Sequence, residues 1–274
     1  MEFMILYEDK NVIVCHKPAG FPVQSARPQQ MDMVSMLNNH LAEENERKAS
    51  EPKKGENYSK KKIEEPQMIH VVHRLDQPVE GVLVFAKTKK AASELSRQVT
   101  DGRMKKVYHA VCCVDKKTEI TDRLWIKDGS GEVFKAYDGK ITLVDYLAKD
   151  SRTNMAFVAD KNRKDAKRAE LSFRILGQSE NGQFLFAEID LKTGRFHQIR
   201  VQMAHAGIPL FGDRKYNEKW EGFAEDFKET YGNVPENISL ALCAVSLTFF
   251  HPITGKKMNF KVEPKGEAFR AFMH

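Results

Sequence analysis

His70–Val84 reads HVVHRLDQPVEGVLV. It sets an arginine, an aspartate and two histidines at the joint between two apolar runs, with Pro78 and Gly81 punctuating the joint. Val71–Leu75 and Val82–Lys87 predict two strands, because β-branched and apolar residues dominate both and the segment between them carries turn residues. A carboxylate such as Asp76, placed where two core strands meet, is either a structural ion-pair partner or a working group at a sheet edge.

On the N-terminal side, residues 4–7 and 12–16 predict a short hairpin, and KPAGFP (17–22) predicts a loop because Pro and Gly punctuate it twice. Residues 31–42 predict a short helix starting near Asp32, with Met33, Met36, Leu37 and Leu41 on one side. Residues 43–66 lack hydrophobic periodicity and are rich in Lys, Glu, Ser and Pro, which predicts a charged surface insertion or flexible loop. On the C-terminal side, residues 90–102 predict a helix stopped at Gly102, and 107–114 a strand. Asn181-Gly182 predicts a hairpin whose primed turn takes positive φ at both residues. Residues 197–207 predict a helix ended by Gly207, 217–237 an aromatic-bearing polar excursion, and 240–262 a last hairpin. Many strands, mostly antiparallel, with few helices make the fold class α+β. The chain is expected to form one continuous unit over residues 1–274.

The 274 residues are 41% hydrophobic and 30% charged, which excludes a disordered or fibrous chain. No apolar run reaches the length of a membrane span, and the N-terminus has neither a basic n-region nor a small-residue cleavage site. A cytoplasmic protein without membrane contact is therefore expected, as a monomer. Cys15, Cys112, Cys113 and Cys243 form no CxxC pair and read as reduced core thiols. The net charge of +6 is uneven: residues 43–65 hold seven acids and seven bases, whereas 87–106 hold seven bases against two acids and 160–174 six against three. Two basic segments inside folded sequence suit a phosphate backbone, and suit solvated faces equally well.

His70, His73 and Asp76 are spaced by three, but a strand turns His73 to the other face, so a three-ligand metal site is not expected from them. No GxxxxGK[ST], GxGxxG or GxSxG motif is present. What remains is carboxylate chemistry with no cofactor.

HRLDQPVEGVLVFAKT (73–88), MKKVYHAVC (104–112) and KTGRFHQIRVQMAHAGIPLFGDRKY (192–216) resemble the signature blocks of the RluA-type RNA pseudouridine synthases. ILYEDKNVIVCHKPAGFPV (5–23) resembles the family's opening block, and AKRAELSFRIL (166–176) its central strand. The resemblance runs in order from about residue 5 to about 262. It implies a pseudouridine-synthase fold, a mixed and largely antiparallel sheet flanked by helices around a central active-site cleft. It also implies an isomerase that turns uridines of structured RNA into pseudouridine. Large-subunit ribosomal RNA is the expected partner and transfer RNA the alternative.

By the same resemblance Asp76 matches the catalytic aspartate, Tyr108 the tyrosine that packs on the target base, and Arg200 the arginine that pairs with the aspartate. Arg74 matches an arginine lying close to the RNA, and Lys87, Lys105, Lys106, Arg195 and Lys215 are candidate phosphate contacts. Without these blocks, Asp76–Arg200 would read as a structural ion pair, Tyr108 as sheet packing, and each lysine as a solvated charge. Three features depart from the family: Val79-Glu80 in place of Thr-Ser, Phe196 in place of Thr or Ser, and the 43–66 insertion. The chain also starts directly with the catalytic block, so no N-terminal RNA-binding domain is expected. Glu80 is expected to lie near the RNA-facing turn. A catalytically silent RNA-binding protein on the same fold is the competing reading.

Overall fold

A computed structural model describes residues 4–25, 27, 29–50, 67–114, 132–135, 139–232 and 238–272. Its twelve strands are β1 Met4–Glu8, β2 Val12–Lys17, β3 His70–Val71, β4 Glu80–Ala86, β5 Lys105–Cys113, β6 Glu132–Lys135, β7 Ile141–Asp150, β8 Met155–Val158, β9 Lys167–Gln178, β10 Phe184–Leu191, β11 Leu242–Phe250 and β12 Lys257–Lys261. The helices are α1 Met33–Ser50, α2 Lys89–Thr100, α3 Gln198–His205, α4 Trp220–Tyr231 and α5 Glu267–Arg270. All strands join one sheet in the order β1-β2-β4-β11-β5-β10-β9-β7-β6, with β12 beside β11, β3 beside β4 and β8 beside β7. Among the described residues only the β4–β11 pairing is parallel; the others are antiparallel.

Strand alternation sorts side chains onto the two faces of this sheet. On β5, Tyr108, Ala110 and Cys112 join the core cluster that also contains α1 and α3 residues, whereas Val111 and Cys113 join the opposite cluster with Phe223 and Phe227 of α4. β2 and β4 are buried along their whole length, and both read as unbroken apolar runs. All four cysteines are free and buried. No helix among the described residues is long and apolar enough to cross a membrane.

The predicted hairpins at 4–17 and 242–261, the helix at 89–100 and the helix at 198–205 are all present. Four local expectations are corrected. First, the helix starting at Asp32 runs on to Ser50 rather than ending near 42. Asp32 caps it by accepting from the Ser35 amide at 2.7 Å, and the Glu-, Lys- and Arg-rich continuation is made of good helix formers that need no buried face. Residues 51–66 of the predicted insertion lie outside the described residues.

Second, the strand expected over Val71–Leu75 is reduced to His70–Val71. Beyond it, the His73 ring takes the ladder position: its Nε2 accepts from the Val84 amide at 3.2 Å. Third, the 179–182 turn has positive φ at Gly182 but not at Asn181. It closes as Gly182 N–H to Ser179 O at 2.9 Å, and Asn181 spends its side chain on the turn, accepting from the Gln183 amide. Fourth, the polar excursion contains α4, whose Phe223 and Phe227 are buried; its last residues, 233–237, lie outside the described residues.

The unusual Pro78-Val79-Glu80-Gly81 turn is explained by packing. Val79 is a core residue. Glu80 is buried rather than turned to the surface: its Oε1 accepts from the Lys265 and Gly266 amides at 2.8 and 3.2 Å, pinning the C-terminal segment. Gly81 has φ +131 and pairs with Ala244 in the parallel contact, where a Cβ would lie 2.5 Å from the Ala244 backbone N and O. Gly81→Ala is therefore expected to destabilise the protein by about 1–3 kcal/mol in urea unfolding. Unchanged stability would show that this strand pair can part without cost.

Candidate active site

Asp76 sits in the 72–79 turn, which the Val79 amide closes onto the Asp76 carbonyl at 3.0 Å. The turn is held from below by Lys17. That lysine ends β2, is fully buried, and donates from Nζ to the carbonyls of Pro18, Phe21 and Gln77 at 2.9, 2.7 and 3.0 Å. Burial pulls its ammonium down to about 7, although the charges of Asp76 and Glu80 oppose that. Lys17 thus welds the KPAGF loop to the residue after Asp76. A lysine ending an apolar strand was visible in the sequence; its three carbonyl partners were not.

Arg200 extends from α3 towards Asp76. Its Nε and Nη2 bind Asp213 bidentately at 2.8 and 2.7 Å, and Nη1 reaches Asp76 Oδ2 at 3.4 Å. The expected Asp76–Arg200 pair is therefore the looser half of a three-residue unit, and Asp213, 1% exposed, is its structural anchor. Burial works against the guanidinium charge, but Asp213 outweighs it and holds the arginine above its ordinary value. Asp76 itself keeps 27% of its side chain exposed, so the site is open to solvent rather than closed.

His197 precedes α3 in the left-handed region, at φ 53, and its ring lies between Asp76 and Tyr216. The Tyr216 oxygen accepts from the Ala156 amide at 2.8 Å, so its hydroxyl proton is free to be donated to His197 Nδ1 at 2.7 Å. The neutral ring then carries its proton on Nε2, 3.5 Å from Asp76 Oδ2. Burial pulls His197 down to about 4, with Arg200 and Lys215 adding to the effect and Asp76 opposing it. Asp213, His197 and Tyr216 all lie inside the 192–216 block, but spacing alone gave no sign that they converge.

Two cavities meet at Asp76. The larger, about 810 Å³, is rimmed by Arg74, Lys149, Arg214 and Lys215. The smaller, about 340 Å³, is lined by Tyr108, Lys106, Ile199 and Leu242. Asp76, Arg74, His197 and Arg200 line both. Tyr108 is 5% exposed, and burial with the nearby Asp76 charge raises its phenol pKa, so it is a neutral hydroxyl at the cavity wall. Phe196, a departure from the family pattern, stacks on His197 with centroids 3.8 Å apart, and the Lys149 ammonium lies 4.4 Å from its ring centroid.

Of the candidate phosphate contacts, Arg74, Lys106, Arg195 and Lys215 line these cavities and two residues do not. Lys87 is buried and paired with Glu8, which takes it out of the cleft. Lys105 is exposed, one residue off the Tyr108–Lys106 register, so strand alternation sends it to the other face. His70, His73 and Asp76 form no group of metal-ligand spacing among the described residues; Glu8, His40 and Glu44 do, within 4.8 Å. There Glu8 is already neutralised by Lys87 and bonded to His40, away from the cleft.

The match to known proteins agrees with this geometry. The family model described as RNA pseudouridylate synthase matches residues 11–205. The chain belongs to the RNA pseudouridylate synthase family. It is 30% identical over 261 residues to "Ribosomal large subunit pseudouridine synthase D" of Neisseria meningitidis, covering 95% of this chain and 58% of that protein. It is 26% identical to "tRNA pseudouridine synthase C" of Vibrio parahaemolyticus, covering 95% of this chain and 90% of that protein. Among solved structures, human RNA pseudouridylate synthase domain containing 4 superposes with a TM-score of 0.63 at 20% identity, over 95% of this chain and 88% of that one. The α+β synthase fold expected from the sequence is thus the fold observed.

The neutral state of His197 can be measured. Its unfolded value is near 6.5 and its folded value near 4, so the unfolded chain binds the proton first. Its contribution to stability is therefore unchanged above about 6.5 and is lost as pH falls towards about 4. An imidazole nitrogen titration by NMR is expected to show the Nε2–H tautomer at pH 7 and a midpoint near 4. A midpoint at or above 6.5 would rule out the Tyr216–His197–Asp76 chain.

Proposed function

We propose that this protein isomerises specific uridines of structured RNA to pseudouridine, with Asp76 as the acting carboxylate and large-subunit ribosomal RNA as its substrate. The observation that carries the reading is the position of Asp76 at the junction of a small cavity and a broad basic groove. In an A-form helix the C5 edge lies in a deep, narrow groove closed to side chains and the N1–C1′ bond is shielded by the stack, so the target must swing out. The smaller cavity has the apolar walls and the tyrosine that a flipped pyrimidine stacks on. The larger groove, with Arg74, Lys149, Arg214 and Lys215 on its rim, suits the strand that remains.

The reaction breaks the N1–C1′ bond, turns the uracil and rejoins it through C5. No redox change occurs and no co-substrate is consumed. Asp76 either attacks the sugar or base as a nucleophile or takes a sugar proton to begin elimination; both need an ionised carboxylate beside the sugar. Arg200 and the His197 N–H supply positive charge and a donor on one oxygen, leaving the other free to react. Tyr108 packs against the base, and Arg74, exposed at the mouth, is placed to fill the gap left in the RNA stack.

Transfer RNA is the second reading, favoured by the Vibrio relative, whose length this chain spans almost entirely. A catalytically silent RNA-binding protein is disfavoured, because Asp76, Tyr108 and Arg200 line one cavity, a grouping that RNA binding alone does not require.

With RNA carrying 5-tritiated uridine, Asp76→Asn is expected to lose tritium release by more than about a hundredfold while keeping RNA affinity. Full release by that variant would remove Asp76 from the reaction. Comparing the pseudouridine map of ribosomal and transfer RNA from cells with and without the gene identifies the substrate. Lys215→Ala is expected to lower the slope of log affinity against log salt by roughly 0.7–0.9 without changing turnover at saturating RNA. An unchanged slope would place Lys215 off the RNA path.

A further inference from the structure

Lys106 lies two residues before Tyr108 on β5, on the same face of the strand, and lines the smaller cavity with Asp76 and Tyr108. It is half-buried, and among the described residues its ammonium has neither a carboxylate partner nor a hydrogen-bond acceptor from the protein. The two buried lysines behave differently: Lys17 donates to three carbonyls and Lys87 pairs with Glu8. Burial alone, with no compensating charge, pulls the Lys106 ammonium down to about 8.

A buried donor without an acceptor stands beside it. His73 Nε2 accepts from the Val84 amide, so the neutral ring carries its proton on Nδ1, and that buried N–H has no acceptor. Burial and the Lys106 charge both keep the His73 ring neutral, so it offers the amine no counter-charge. Asp76, across the cavity, is already occupied with Arg200 and His197. The half-buried Lys106 ammonium and the buried His73 N–H are therefore both left without a protein acceptor at this cavity, and both can meet a polar molecule bound in it.

We infer that Lys106 is a catalytic residue whose ammonium donates to a carbonyl oxygen of the target uracil and supports the negative charge that forms there. The inference rests on the pseudouridine synthase reading of this site. When the N1–C1′ bond breaks, its electron pair stays with the uracil and spreads over N1, O2, C5 and O4, which makes C5 the carbon that can bond. The anion turns, C5 bonds to C1′, and the hydrogen on C5 leaves as a proton. A cation placed at O2 or O4 is stronger against that anion than against neutral uridine, so it acts on turnover more than on binding.

The test uses the full chain with Lys106→Met, which keeps the apolar stem and removes the charge. The probe is total RNA from cells lacking the gene, labelled with 5-tritiated uridine. Tritium release at saturating RNA is expected to fall about a hundredfold, with RNA affinity within threefold and melting temperature unchanged. Lys106→Gln, a donor without charge, is expected to lie in between, and it decides by the same criteria if the Met variant does not fold. Retained release overturns the inference. So does a loss of affinity with a shallower salt slope and normal saturated turnover, which would make Lys106 a phosphate contact. Asp76→Asn, run alongside, separates the failures: if it stays active the reading of the site fails, and if it is inactive while Lys106→Met is active only Lys106 is misassigned.

Discussion

The cleft depends on one buried guanidinium. Arg200 uses two nitrogens to hold Asp213 bidentately and presents a third to Asp76, so a single planar group joins α3, the loop after Leu210 and the 72–79 turn. Burying a charge is costly unless it is paired, and removing one partner of such a pair costs about 3–5 kcal/mol. Asp213 supplies that pairing completely, which leaves Asp76 only lightly bound. A carboxylate tied as tightly as Asp213 would be a poor base or nucleophile. The difference between the two acids is thus a consequence of geometry: one neutralises the arginine and the other keeps an oxygen free for the chemistry proposed for it.

The same distinction separates the cations. Lys17 and Lys87 are buried and satisfied, one by carbonyls and one by Glu8, and each fastens backbone to backbone. Arg74, Lys149, Arg214 and Lys215 line the wide groove, where their charge is available to a polyanion. Lys106 belongs to neither group: it lines the smaller cavity beside Tyr108, half-buried and without a protein partner among the described residues. A charge count along the chain cannot make these distinctions, because it weights a structural lysine and a binding one equally.

Much of the frame was legible. The hairpins at 4–17 and 242–261, the helix at 89–100 and the helix at 198–205 follow from local pattern and from Gly102 and Gly207, both at positive φ where a helix stops. The errors share a cause. The 72–75 strand failed because a side chain, His73, took a backbone ladder position. The primed turn failed because Asn181 used its amide group on the loop instead of adopting positive φ. Lys87 and Glu80 were read as cleft residues, yet Glu8 and the 265–266 amides hold them elsewhere. In each case a long-range or side-chain bond overrode a local preference.

What the sequence determined by itself was the kind of fold, the family, and the residue types the chemistry needs. Those depend on short-range pattern and on ordered blocks such as HRLDQPVEGVLVFAKT. What only the tertiary structure decided was which charges meet. Asp76 and Arg200 are 124 positions apart, and His197 and Tyr216 join them only because α3 packs its N-terminal end against the 72–79 turn. Which of two aspartates is held tightly by Arg200 and which only loosely is a matter of 2.7 against 3.4 Å. Electrostatic energy there changes steeply with such distances and with desolvation, and neither is encoded in the spacing of residues along the chain.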